Sequence, residues 1–157
     1  MVKFVRNITL RGKIEGTTTG TYIPHRVMLD DGNPNTAFRI VSVVAWPEDG
    51  TQFNNDGNFI IATEESGLTD YTAGFTDASD NRQIGWGAFA TGGAFGDTQI
   101  LNAVVDPDNV VNEDLWLAGS ISSAGEEGIN YLIIAERLNI TLTENLYATV
   151  RAKSQSN

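Results

Sequence analysis

His25 is the only histidine in this 157-residue chain, and there is no cysteine. Those two facts remove most nucleophilic and metal chemistry. A serine or cysteine nucleophile needs a base oriented by a third group, yet His25 follows Pro24 in a short segment that reads as a sheet edge. No G-x-S-x-G turn offers a serine. A structural zinc site needs a full set of nitrogen and sulfur ligands, which one imidazole cannot supply. Carboxylates are the remaining candidates. Asp31-x-Asn33-x-Asn35 opens like a calcium loop, but the sixth position is Thr36 instead of Gly and the twelfth is Ser42 instead of an acid, so the EF-hand reading fails. Irregular carboxylate loops at Asp30 and Asp31, at Asp77 and Asp80, and at Asp106 and Asp108 leave calcium open, against turn formation as the ordinary use of these residues. Paired acids for glycoside cleavage are defined by a distance in space, and nothing singles out one pair among 20 acids. Gly92-Gly93 has no lysine or helix start behind it and is no phosphate loop. The reading is of no catalytic residue, no cofactor and no metal site. Aromatic rings are the last chemistry-bearing group. Tyr71 and Phe75, in a polar segment, and Trp86 are the candidates for a surface ligand contact such as a sugar face.

Composition narrows the class further. At this length the chain reads as one domain, residues 1–157, able to bury about two-thirds of its unfolded surface without disulfides. Ten Lys and Arg stand against 20 Asp and Glu, a formal charge of −10, which argues against nucleic-acid readout because phosphate binding needs clustered cations. The cations are unevenly placed. Lys3, Arg6, Arg11 and Lys13 open the chain and Arg137, Arg151 and Lys153 close it, while only Arg26, Arg39 and Arg82 lie between Ile14 and Glu136. Chance and solubility charge explain this pattern as well as a polarity in which the two termini face one partner and the acidic body faces solvent. No apolar run reaches the ~20 residues of a membrane helix. The opening MVKFVRNITLRGK alternates in place of a signal-peptide core, so the expectation is a protein made in the cytoplasm of its host without an export signal.

The elements that must position these residues are strands. Ile129 to Ile140 is the densest apolar run. Ile129, Tyr131, Ile133 and Ala135 alternate with Leu132, Ile134, Leu138 and Ile140, which predicts a central strand apolar on both faces and covered by other strands on each. Its expected partner carries Val111, Leu115, Leu117 and Ile121, joined to it by a polar hairpin loop, with Trp116 on that partner's opposite face as a second-layer core residue. Further strands are expected over 3–14, 22–29, 37–46, 58–64, 82–90 and 98–105. Pro24 makes the second an edge. Gly85 and Gly87 flank Trp86 and imply a bulge or a close backbone approach. Residues 65–81 read as a polar surface excursion. Strands then occupy 3–142, an all-β two-sheet sandwich of jelly-roll or Greek-key type, with unequal loops arguing against an up-and-down barrel. Residues 143–153 form a short C-terminal helix capped by Thr143, with Glu144 in its first turn. Leu146 and Val150 share one face of it. A helix this short is marginal alone and needs the sandwich or another subunit to dock on.

Four segments carry a resemblance: NRQIGW at Asn81–Trp86, DPDNVVNEDLWL at Asp106–Leu117, INYLIIAE at Ile129–Glu136, and the closing LTENLYATVRAKSQS. In these, roughly the second half of the chain, the protein resembles small β-sandwich virion proteins of bacterial, often marine, viruses. The resemblance implies a capsid subunit, decoration or spike of jelly-roll type, located in the virion, with itself and other capsid proteins as partners and no catalytic residues. The expected function is a non-enzymatic structural subunit acting as a homo-oligomer, with Lys3, Arg6, Leu146, Tyr147, Val150 and Arg151 at the subunit or shell contact. The alternative is a carbohydrate- or receptor-binding module that meets a glycan on the host surface. A glycan-cleaving enzyme is a third option.

Overall fold

The computed structural model describes residues 4–17, 23–29, 31–48, 55–68, 76–91, 98–122 and 128–153. Eight strands run through them: β1 (Phe4–Thr17), β2 (His25–Val27), β3 (Thr36–Pro47), β4 (Asn55–Ala62), β5 (Gln83–Thr91), β6 (Thr98–Val105), β7 (Leu115–Ile121) and β8 (Gly128–Asn139), with a helix, α1 (Leu142–Lys153), at the end. β8 pairs antiparallel with β1 on one edge and β3 on the other. The second sheet runs β7-β4-β5-β6, with β2 on the free edge of β7. The end of β1 joins that edge too, where Gly16 and Thr17 run parallel to Gly119 and Ser120. Thus β1-β8-β3 faces β2-β7-β4-β5, while β6 continues from β5 and passes beside β3. The result is an all-β two-sheet sandwich whose order, β1-β8-β3 against β2-β7-β4-β5, follows the jelly-roll pattern apart from β6, which bonds to β5.

The hydrophobic effect explains why the sheets face as they do. Ile14 on β1, Phe38, Ile40, Val43 and Ala45 on β3, and Ile129, Tyr131, Ile133 and Ala135 on β8 point into one core. There they meet Phe59 and Ile61 on β4, Phe89 on β5, and Leu115, Leu117 and Ile121 on β7. Period-two alternation delivers each set to one face. In β3 the alternation slips: the register with β8 shifts between Ile40 and Ser42, so Val41 and Ser42 both turn outward and Val43 returns to the core. A bulge does this by inserting one unpaired residue. A smaller cluster covers the outer face of the second sheet, where Ile60, Ala62, Leu68 and Ala118 pack with Trp86 and Trp116.

Four expectations are corrected. β7 and β8 do not form a hairpin; they lie in different sheets, and β1, from the other end of the chain, takes the place beside β8. β8 is central in its sheet, but its second face is covered only at the C-terminal end, where Leu138 and Ile140 pack with Ala37 and Val110; Leu132 and Ile134 on that face are half-buried. The strand over 22–29 shrinks to His25–Val27 and does lie at an edge. The segment from Glu65 is not wholly a surface excursion: Glu65–Leu68 forms a 3-10 turn that buries Leu68 completely. Residues 69–75 lie outside the described set.

Close approach at glycine holds. On the inner face of the second sheet, Phe59 sits opposite Gly87 and Gly57 opposite Phe89. Each ring covers the glycine across from it, so a methyl group at either glycine would overlap the ring.

Candidate assembly surface

The groups that could do chemistry are mostly committed to the fold. His25 on β2 stacks at a tilt against Tyr131, ring centroids 6.0 Å apart. Burial pushes the Tyr131 phenol up. The turn acids spend their oxygens locally. Asp31 accepts from the Asn33 amide at 3.0 Å, Asp77 from the Ser79 amide at 2.9 Å, and Asp106 from the Asp108 amide at 2.9 Å. These are side-chain turns of the kind Asp and Asn favour. Asp31 also pairs with Arg137, and Asp114, nearly buried, accepts from the Leu29 amide at 2.9 Å and pairs with Arg26. Among the described residues, no three histidine or acid side chains converge on a point. Asp30 lies outside that set.

Asp80 shows what these acids contribute. Arg82 clasps it through both carboxylate oxygens, Nε to Oδ1 at 2.8 Å and Nη2 to Oδ2 at 2.7 Å. That contact holds the Asp80 carboxyl below the usual carboxylate range. A depressed folded-state pKa stabilises the protein above the unfolded value and loses that contribution as pH falls. Asp80→Asn will therefore melt below the parent protein at pH 7, and the gap will narrow as pH drops through about 4. Thermal melts at pH 7, 5 and 3 check this; a gap that stays constant to pH 3 would contradict it.

The aromatic candidates separate. The Trp86 ring packs on the Leu68 cluster, and its Nε1 donates to Gln83 Oε1 at 3.0 Å. Gln83 in turn donates to the Gly67 carbonyl at 3.0 Å. Trp86 is thus a half-buried brace for the 3-10 turn. Trp116 packs in the same cluster, as a second-layer residue, with the Arg26 guanidinium 6.0 Å above its ring. Tyr71, Phe75 and Lys3 lie outside the described residues, and the backbone alone places Arg6 and Arg151.

Two apolar surfaces are left open. The first is α1. Thr141 caps it, not Thr143: the Glu144 amide donates to Thr141 Oγ1 at 3.3 Å, and the Thr141 amide donates to Glu144 Oε2 at 2.7 Å. This reciprocal capping box starts the helix two residues earlier than the Thr143 reading, and it holds the Glu144 carboxyl below its usual range. Leu142, Leu146 and Val150 recur at four-residue spacing, which puts them on one face, with Tyr147 beside them. Leu146, Tyr147 and Val150 are 65%, 74% and 52% exposed. Among the described residues, no strand packs closely against α1.

The second surface is the outer face of β1-β8-β3. Directly opposed residues share a face, so the rows are Lys13–Asn130–Trp46, Arg11–Leu132–Val44 and Thr9–Ile134–Ser42. Trp46 and Val41 are 38% and 49% exposed, and Val44, Leu132 and Ile134 are half-buried. Lys13 and Glu48 pair at 2.7 Å at one end. The pairing of β1 with β8 sets position 6 opposite Arg137, bringing basic residues from both ends of the sequence to the end of the sheet where α1 departs.

No protein-family model matches the chain, and a search of curated proteins finds no match. Among the described residues, no helix is long and apolar enough to cross a membrane.

The sequence singled out the helix stripe through Leu146, Tyr147 and Val150. It missed the sheet face. The signal was in β1, whose Asn7, Thr9, Arg11 and Lys13 all point to the side on which β8 and β3 carry Leu132, Ile134, Val44 and Trp46.

Proposed function

We propose that this chain is a non-enzymatic structural subunit of a virus particle, a capsid, decoration or spike protein that assembles as a homo-oligomer. The observation that carries this reading is the exposed apolar stripe of α1, an element against which no strand among the described residues packs closely. A helix of 12 residues gains most of its stability from tertiary burial, so a stripe this exposed is a contact surface in use elsewhere. Contiguous exposed apolar area marks interaction sites in general. The jelly roll supplies a rigid block that can be tiled, and the resemblance in the second half of the chain supplies the setting. In that setting the protein is made in the host cytoplasm and resides in the virion beside other capsid proteins. Trp86, the described aromatic candidate for a glycan, is taken up by the fold, which favours the structural role over carbohydrate binding.

Native mass across a concentration series tests the first half of the proposal. An oligomer of fixed size is expected at micromolar concentration, and removal of residues 142–157 should return a monomer with the β signal intact. Quantitative peptide mass spectrometry of purified particles tests the second half and should find the chain at a fixed copy number. A strictly monomeric chain, or particles that lack it, would overturn the reading.

A further inference from the structure

We infer that α1 of one copy docks across the outer face of the β1-β8-β3 sheet of a second copy. The inference rests on the homo-oligomer reading and names its interface.

Both halves of the contact lie on this chain, and they match in size. Leu142 to Val150 spans eight residues of helix, about 12 Å. Asn130 to Ile134 spans four residues of strand, about 13 Å. The helix offers a narrow ridge, Leu142, Leu146 and Val150 with Tyr147 at its side. The sheet offers a shallow apolar floor of Val44, Leu132 and Ile134 with Trp46 standing at one end. Charge fixes the direction. The sequence puts Arg151 and Lys153 in the last turn of α1, while Glu15 and Glu48, both exposed, stand at the Trp46 end of the floor; Lys13 pairs with Glu48 there, so the acidic balance of that end rests on Glu15. The basic end of the helix therefore lies over Trp46 and its first turn over Ile134. The separation of basic termini from an acidic body becomes a contact between copies.

The helix cannot reach the floor of its own subunit without being rebuilt. Only Ile140 and Thr141 separate β8 from α1. Ile140 is buried, and its amide donates to the Asn35 carbonyl at 2.9 Å. Thr141 is fixed by the capping box. The direction of the first turn is thereby set, and a second copy is the occupant that brings both an apolar floor and acids at the right end.

The contact joins two different surfaces, so it can be complemented. One variant carries Leu146→Asp and Val150→Asp on the helix; the other carries Val41→Lys and Trp46→Lys on the sheet. All four positions are exposed in the single chain, so each variant should keep the circular dichroism and melting behaviour of the parent. Each alone should fall to a monomer by native mass. Mixed in equal amounts, they should form a 1:1 heterodimer, since one still owns a helix and the other a floor. A sheet variant that stays oligomeric while the helix variant dissociates would overturn this interface and leave the homo-oligomer standing. Two monomeric variants that fail to combine would also overturn it. A parent chain that is itself monomeric would end both readings.

Discussion

Phe59→Ala will lower the unfolding free energy by about 3–5 kcal/mol, the usual cost of emptying a buried aromatic site. Gly87→Ala will destabilise as well, by about 1–3 kcal/mol for overpacking, although alanine is the better residue for an ordinary strand position. The two together will cost less than their sum. Phe59 is fully buried and lies directly across β4 and β5 from Gly87, its ring occupying the volume that a Cβ at position 87 would need. With the ring gone, the methyl group at position 87 enters free space and refills part of the cavity, so its penalty vanishes. A double-mutant cycle by urea denaturation should return a coupling of about 1 kcal/mol or more, against the ~0.3–0.5 kcal/mol scatter of independent sites. Additive changes would mean that the ring does not rest on that glycine. At the mirror pair, Gly57 and Phe89, the coupling should be smaller, because a methyl group at position 57 would also meet the Ser120 backbone carbonyl. This reciprocal stacking lets two phenyl rings sit in adjacent strands of one inner face.

Such local chemistry is where the sequence was most readable. Eight strands could be located because alternation is a property of neighbours in the chain, and Gly85-Trp86-Gly87 signalled close approach within a few residues. Pairing was not readable in the same way. The expected hairpin of β7 with β8 was argued from proximity in sequence, whereas the edge of β8 is taken by β1, over a hundred residues earlier. The bulge at Val41 hid in a continuous apolar run, AFRIVSVVAW, where a slip of one residue changes which side chains face the core. Leu68 looked like part of a polar loop because its partners, Ile60, Ala62 and Ala118, come from β4 and β7. The candidate surface divides similarly. The stripe of α1 was plain from its spacing, but the sheet face was obscured because Leu132 and Ile134 were expected to be covered. The polar outward residues of β1 were the contrary signal: a sheet whose neighbouring strand shows Thr9, Arg11 and Lys13 is open on that side.

Asn109→Ala will be the most damaging polar substitution in the described part of the chain. The Asn109 side chain is buried and acts as an additional peptide unit on the free edge of β3. Its Oδ1 accepts from the Ile40 amide at 2.7 Å, and its Nδ2 donates to the Ile40 carbonyl at 2.9 Å. Two residues away, Phe38 and Val111 exchange backbone hydrogen bonds at 2.7 and 2.8 Å, so Asn109 extends that ladder up to the bulge. Alanine orphans both Ile40 groups at about 1–3 kcal/mol each. Asn109→Asp discriminates further. It keeps the acceptor for the Ile40 amide but turns a carboxylate oxygen toward the Ile40 carbonyl, also an acceptor. The folded state then favours the protonated acid, raising its pKa above the unfolded value. Stability carried by a raised pKa is present at low pH and lost as pH rises through the folded value, so the deficit of the Asn109→Asp variant should be larger at pH 7 than at pH 4. Urea melts of parent and variant at the two values decide it; equal deficits would show that the Ile40 carbonyl does not face this side chain. The same variants bear on assembly. Unmasking the edge of β3 exposes backbone groups that recruit strands from other chains, so Asn109→Ala should add disordered, concentration-dependent aggregation. Loss of the α1 stripe should produce only clean monomers. An edge closed in this way leaves β3 able to offer its outer face, and not its margin, to a neighbour.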